Sequence, residues 1–286
     1  MRSVDVNAYA KINLYLDVHA KRPDGYHDVD TVMQSVSIFD TLYIDITDGE
    51  IKVSTNFKTI EDQENLVYKA IVLFYEKANI SGGAKCHVVK RIPLLSGLGG
   101  GSADAAAAVL ALNKYYNEPL DYEQLKDLSV LLGADVPFFL MGGTVRAKGI
   151  GEDLYALKYV GDYNVLLVKQ GNKTSTKTMY GKIDSATSEA SFFTDDFVNA
   201  LEADGDLKNK CGNRFLDVLD DKEDKIKLIE KISSFNANAS GLSGAGPTVF
   251  GLFKDFALAF NAYSYFKEND YECYLCKTEE NAIIIE

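Results

Sequence analysis

Residues 93–112 read PLLSGLGGGSADAAAAVLAL. Gly97, Gly99, Gly100 and Gly101 fall within five positions, and the alanine- and leucine-rich run that follows predicts a helix over 102–116. Glycine is needed where backbone must approach a ligand closely or take a positive φ. A helix start just beyond it offers free N–H groups and the positive end of the helix dipole. Loop and helix start together make an anion cradle that requires no excess of basic side chains. Pro93, Leu94, Leu95, Ser96 and Leu98 complete the loop, and Ser102 either caps the helix or touches a phosphate or its metal.

Two familiar phosphate loops do not fit. A Walker loop needs a lysine directly after the glycines, and none follows Gly101. A dinucleotide fingerprint needs Gly-x-Gly-x-x-Gly and an acidic residue ending a second strand; the spacing here differs, and Glu118–Asp121 begins a helix instead. A structural turn without a ligand is the remaining bland reading.

Upstream the chain reads as β structure. Residues 8–18 (AYAKINLYLDV) alternate apolar and polar, as a half-buried strand does. Strands at 32–39, 42–46 and 51–54 follow, with Asp48-Gly49 as a hairpin turn before the last. A helix over 65–77 and a strand over 85–92 lead into the loop. Downstream, helices are expected at 122–132, 178–183, 197–202, 214–219, 225–234 and 257–268. Strands are expected at 144–148, 164–169, 248–253 and 272–278. The small, polar stretch 185–193 reads as a flexible loop, and a domain boundary falls near 159–162, giving domains 1–160 and 161–286.

The 286 residues, 47% of them hydrophobic, suit two globular domains. The longest apolar run, 105–112, is far short of the roughly 20 residues of a membrane span. With no signal pattern at the N-terminus, a cytoplasmic location is expected. A net charge of −12 argues against nucleic acid and anionic lipid as partners. Four cysteines are too few and scattered for a disulfide framework, and Cys273-x-x-Cys276 reads as reduced strand cysteines rather than a zinc or redox pair.

Asp135 lies in an otherwise apolar stretch, LGADVPFFLMGG, where a charge needs a partner or a purpose; a helix cap is the bland alternative. Lys11 would ordinarily lie on a solvated strand face, and residues 22–27 (RPDGYH) would be a turn with aromatic neighbours.

The glycine loop resembles the second motif of the GHMP kinases (galactokinase, homoserine, mevalonate and phosphomevalonate kinases). Lys11 within AYAKINLYLDV resembles the first motif and residues 240–253 (SGLSGAGPTVFGLF) the third. Together with Gly25-Tyr26-His27 and Gly133-Ala134-Asp135-Val136-Pro137-Phe138, the resemblance covers nearly the whole chain. It is strongest to a branch that phosphorylates a cytidine-diphosphate alcohol in isoprenoid precursor biosynthesis. It implies a two-domain α+β fold, with a mixed sheet and helices first and a ferredoxin-like domain second, and a cleft holding ATP and Mg²⁺. Asp135 becomes the catalytic base and Lys11 the cation that stabilises the moving γ-phosphoryl. Asn13, Tyr26, His27, Thr176 and Tyr180 become contacts to the cytidine end of the substrate. No carboxylate cluster forms a dedicated metal cage, and a monomer or weak homodimer is expected.

Three positions depart from the branch's pattern. Met33 stands where an aromatic residue is usual, Lys169-Gln170 where Lys-Pro is, and Asn213-Arg214-Phe215-Leu216 where Asn-Asp-Leu-Glu is. Another small alcohol (homoserine, mevalonate or a sugar) keeps the fold and changes the acceptor. A nucleotide sensor without catalysis and an NAD-binding oxidoreductase are more distant alternatives.

Overall fold

The computed structural model of the chain describes residues 3–57, 65–172, 174–185 and 194–286. β1 (Ser3–Lys21) and β2 (His27–Thr47) form a long antiparallel pair. Where two strands, 32–39 and 42–46, are expected, β2 runs through unbroken. Ser37 and Ile38 lie between the partners of Tyr9 and Ala10, so a local bulge absorbs the irregularity.

β3 (Lys52–Thr55) corrects the hairpin reading of Asp48-Gly49. It lies parallel to β4 (Gly83–Val89), while β4 pairs antiparallel with Thr41–Thr47 of β2, so β2 and β3 are not neighbours. The turn chemistry is there, but the chain crosses to the far side of β4. β5 (Thr144–Lys148) pairs with Thr31–Gln34 of β2, and β6 (Asp153–Ala156) pairs with β5.

α1 (Leu66–Ala78), α2 (Gly100–Tyr115), α3 (Tyr122–Leu132) and the short α4 (Phe138–Met141) pack with this sheet. Ala103, Ala105, Ala106, Ala107 and Ala108 of α2 are all buried in one core with Val6, Leu42, Phe74 and Phe138. Methyl side chains let the helix axis sit close to its neighbours, and a helix apolar all round belongs inside. Asn113 closes the far end of α2 by accepting from Leu120 N and donating to Leu120 O.

The second half contains β7 (Asn164–Lys169), α5 (Thr176–Ser185), α6 (Thr194–Glu202), β8 (Gly212–Asn213) and α7 (Lys222–Ser233). It continues through β9 (Ala239–Leu242), β10 (Thr248–Phe253), α8 (Phe256–Glu268), β11 (Glu272–Glu279) and β12 (Ile283–Ile285). Strand order β9-β10-β7-β11 with antiparallel neighbours is the split β-α-β-β-α-β arrangement of a ferredoxin-like layer. The α+β class expected from the sequence is therefore the class adopted.

The two halves share hydrogen bonds: β11 runs along β7 as far as Lys277, then Thr278 and Glu279 pair with Val36 and Ser35 of β2. β12 returns to β1, so the last residues complete the first sheet. The stretch 159–162 lies immediately before β7.

The helix expected at 214–219 is a 3₁₀ turn over Arg214–Val218. Asn213 caps it, accepting from Phe215 N, and is itself tied to Leu242 O and Gly244 O at 2.8 Å. Of the expected loop at 185–193, residues 186–193 lie outside the described residues. Cys273 and Cys276 sit in separate hydrophobic clusters, three positions apart on β11, so they do not face each other. Burial pushes both thiols up, Cys276 to about 12. Among the described residues, no helix is long and apolar enough to cross a membrane.

Candidate active site

The alternation of β1 decides which side chains meet here. Ala10, Ile12 and Leu14 go into one hydrophobic cluster, so Lys11 and Asn13 project together from the opposite face. That face is covered as well: Lys11 is 2% exposed, which corrects the half-buried strand and rules out a solvated lysine. An ammonium so deep requires partners. Its Nζ donates to Asn13 Oδ1 at 2.5 Å and lies 3.5 Å from Asp135 Oδ2.

Asp135 follows Gly133, the C-cap of α3. It does not cap α4, whose N-cap is Pro137 with no side-chain bond. Its carboxylate is half-exposed beside the buried Lys11, which leaves one oxygen-bearing face open to a ligand.

The glycine loop is held from both sides. Lys11 N donates to Leu98 O at 3.0 Å, and Ser243 Oγ donates to Gly97 O at 3.0 Å. Asn13 links the two contacts, because its Oδ1 also accepts from Gly244 N at 2.9 Å while its Nδ2 donates to Thr31 Oγ1. α2 starts at Gly100 with Gly99 as N-cap (φ 74°) and no side-chain bond to the N-terminal amides. Ser102 is the third helical residue, so its hydroxyl lines the cavity instead of capping.

The glycines differ in what they permit. A Cβ at Gly97 (φ 81°) would lie 2.5 Å from Ser243 O, whereas one at Gly101 would meet nothing within 4 Å. Gly97 is required by the protein's own packing; Gly101 leaves room for something to come close. Gly97→Ala is expected to cost about 1–3 kcal/mol through the backbone strain and the forced contact. Thermal unfolding would measure it, and a loss within about 0.5 kcal/mol would mean that the loop simply moves aside.

A cavity of about 500 Å³ gathers the sequence-identified residues from Pro93 to Ser102 with Lys11, Asn13, Asp135, Thr176 and Tyr180. Thr176 opens α5, and Tyr180 lies one turn further on. Tyr26 and His27 are not among the lining side chains. Tyr26 is 61% exposed on the turn before β2. His27 is buried behind Tyr180, their rings stacked with centroids 4.8 Å apart and planes inclined by 16°.

His27 Nε2 lies 2.7 Å from Asp184 Oδ1, and Lys21 reaches the same carboxylate at 3.4 Å. The His27 hydrogen bond leads in holding Asp184 below the ordinary carboxylate range. Phe215 packs edge-on to Tyr180 at 5.3 Å and also lines the cavity. Burial, then the charge of Asp135, pushes Tyr180 up to about 12. Met33, opposite Asn13 across the β1–β2 ladder, is buried against the same space.

Sequence reasoning passes over Phe215, Asp184 and a buried ionic cluster beneath the loop. Lys90 lines the cavity and donates to Asp104 Oδ2 at 2.6 Å and to Asp40 Oδ2. Asp40 Oδ1 accepts from Arg91 N at 2.5 Å and Ile92 N at 2.8 Å, which anchors the segment entering the loop. The available signal was Asp104 itself, a charge set among buried alanines. Among the described residues, no group of three or more His, Cys, Asp and Glu could hold a metal.

Two family models match the chain: GHMP kinases N terminal domain over residues 65–143 and GHMP kinases C terminal over 226–272. A 4-diphosphocytidyl-2-C-methyl-D-erythritol kinase of Thermoanaerobacter pseudethanolicus is 40% identical over 273 residues, covering 94% of this chain and 93% of its own. One from Clostridium tetani is 34% identical, covering 96% and 99%. A crystal structure of 4-(cytidine 5'-diphospho)-2C-methyl-D-erythritol kinase superposes with a TM-score of 0.80 at 28% identity, covering 96% of this chain and 98% of its own. Homoserine kinase from Cytophaga hutchinsonii superposes with a TM-score of 0.79 at 16% identity, covering 100% and 98%, which is a likeness of fold.

Proposed function

This chain belongs to the GHMP kinases, and from that premise we infer that it transfers the γ-phosphoryl of ATP to the 2-hydroxyl of 4-diphosphocytidyl-2-C-methyl-D-erythritol. This is a phosphotransferase step of isoprenoid precursor biosynthesis. The acceptor follows from full-length relatives that carry that name at 34–40% identity. One observation carries the chemistry: Lys11 Nζ, buried, lies 3.5 Å from a half-exposed Asp135 carboxylate, in a cavity also lined by the uncapped start of α2.

Phosphoryl transfer asks mainly for positioning and charge stabilisation. The free amides at Gly100–Ser102 hold phosphate oxygens, aided by the helix dipole and the space before Gly101. Asp135 accepts the hydroxyl proton as the oxygen attacks, since a neutral alcohol is a weak nucleophile. Lys11 stabilises negative charge as it moves between attacking and leaving oxygens. Asn13 holds Lys11 in register with the loop at 243–246. The uncapped amides at the start of α2 would take up phosphate oxygens and leave Mg²⁺ to be carried by the phosphates and water. When bound, the ion neutralises phosphate charge.

The cytidine end belongs to the side of the cavity lined by Tyr180 and Phe215, with His27 behind Tyr180 and Thr176 nearby. Two aromatic rings and a fixed imidazole suit a flat pyrimidine. ADP release with the cytidine-diphosphate alcohol is the direct test. The same alcohol phosphate without cytidine is expected to lose about 10–100-fold in kcat/KM, the worth of about 1–3 kcal/mol of base contacts. Equal turnover of both acceptors, or faster turnover of homoserine or mevalonate, would overturn the assigned substrate.

A further inference from the structure

The cluster beneath the glycine loop has an imbalance of charge. Lys90 brings one positive charge; Asp40 and Asp104 bring two carboxyls, and all three residues are at most 8% exposed. The ammonium reaches both carboxyls, through Oδ2 of each. Asp104 Oδ1 is buried with no hydrogen-bond partner among the described residues. If both carboxyls were ionised, the cluster would bury a net negative charge with one anionic oxygen unpaired, an expensive state in a low dielectric. It would also stand close to the phosphate site: a Cβ on Gly100 would lie 3.3 Å from Lys90 Nζ, and Asp104 is in the opening turns of α2.

We propose that Asp104 is a positioning residue of the nucleotide site and works as an acid, sharing one proton with Asp40 over the Lys90 ammonium, so that no net charge lies beneath the anion cradle. One proton, two carboxylates and one ammonium sum to zero. Both carboxyls close on one Nζ, so a single proton on either of them neutralises the cluster, and on Asp104 it turns the unpaired Oδ1 from an anionic acceptor into a neutral hydroxyl. The inference rests on the nucleotide reading given above.

The surrounding groups agree. Burial, the largest influence, drives Asp104 well above the ordinary carboxylate range; Lys90 opposes this and Asp40 adds to it. For Lys90, burial alone would lower its value, but Asp104 and Asp40 together raise it, so the ammonium stays charged. Cys86 on β4 faces the same cluster as a neutral thiol, raised by burial and then by Asp104. Arg91 directs its guanidinium to Thr41 and gives Asp40 only its backbone N–H.

The test is ATP affinity of the full chain as a function of pH, without acceptor, for the wild type and for Asp104→Asn. Titration of the nucleotide's own phosphates cancels in the ratio of the two Kd values. Deprotonating the cluster restores a negative charge near the triphosphate, so the wild-type Kd should rise on the order of ten-fold relative to the variant on the alkaline side. Parallel profiles would overturn the proposal while leaving the nucleotide site intact; an absence of ATP binding at any pH would overturn both. If Asp104→Asn does not fold, infrared spectroscopy of the wild type decides. A buried protonated carboxyl band at neutral pH, lost on alkalinisation, is expected, and its absence overturns the shared proton.

Discussion

Asp135→Asn is expected to reduce kcat by about 10²–10⁴, the range that general-base removal costs, with the Kd for ATP nearly unchanged. The substitution keeps shape and polarity but removes the ability to take a proton. Asp135 is half-exposed and caps no helix, so the fold does not depend on it, and a lost activity can be read as lost chemistry. Its charge faces the cavity beside Lys11 instead of the loop amides of α2, so nucleotide binding should survive. Steady-state kinetics with both substrates, alongside ATP titration, separates the outcomes. A kcat within about three-fold of the wild type would remove Asp135 from the proton-transfer role, and a selective rise in KM for the alcohol would make it a substrate-holding residue.

What the sequence made legible follows its local rules. The helix expected at 122–132 is α3 with those bounds, because what starts and stops it is local: Asp121 accepts from Gln124 N at one end and Gly133 is the C-cap at the other. The period-2 pattern of β1 likewise marks the core face. It says nothing of the other face, because the burial of Lys11 and Asn13 comes from residues 97–98 and 243–244, far away in the chain. The hairpin reading of Asp48-Gly49 fails for the same reason: a turn signal states that the chain reverses, not which strand it joins. The site divides in the same way. Glycines before a helix are a contiguous signal with a physical reason at each position. The Asp184 partner of His27 and the ionic cluster of Lys90 depend on pairings 157, 50 and 14 residues apart, which no single segment announces. Tyr26 illustrates the converse, because its neighbour in sequence is buried and the Tyr26 side chain is out on the turn.

Lys11→Met separates charge from packing in the same machinery. The linear thioether retains the stem that lies near Gly99, where a Cβ would come within 3.0 Å of Lys11 Cγ. It removes only the ammonium. Asn13 Oδ1 still accepts from Gly244 N, so no buried acceptor is orphaned and the junction of β1 with the loop at 243–246 should hold. The expected result is a kcat lower by about 10²–10³, comparable to removing one preorganised donor from a transition-state site, with KM for ATP changed by less than about ten-fold. A rise in KM with kcat intact would instead make Lys11 a ground-state clamp on the phosphates. The double substitution with Asp135→Asn discriminates further. If the ammonium and the carboxylate act on one transition state, the second change should cost far less in the variant than in the wild type, because each residue's value depends on the other. Full additivity would mean that the 3.5 Å pair works as two independent groups.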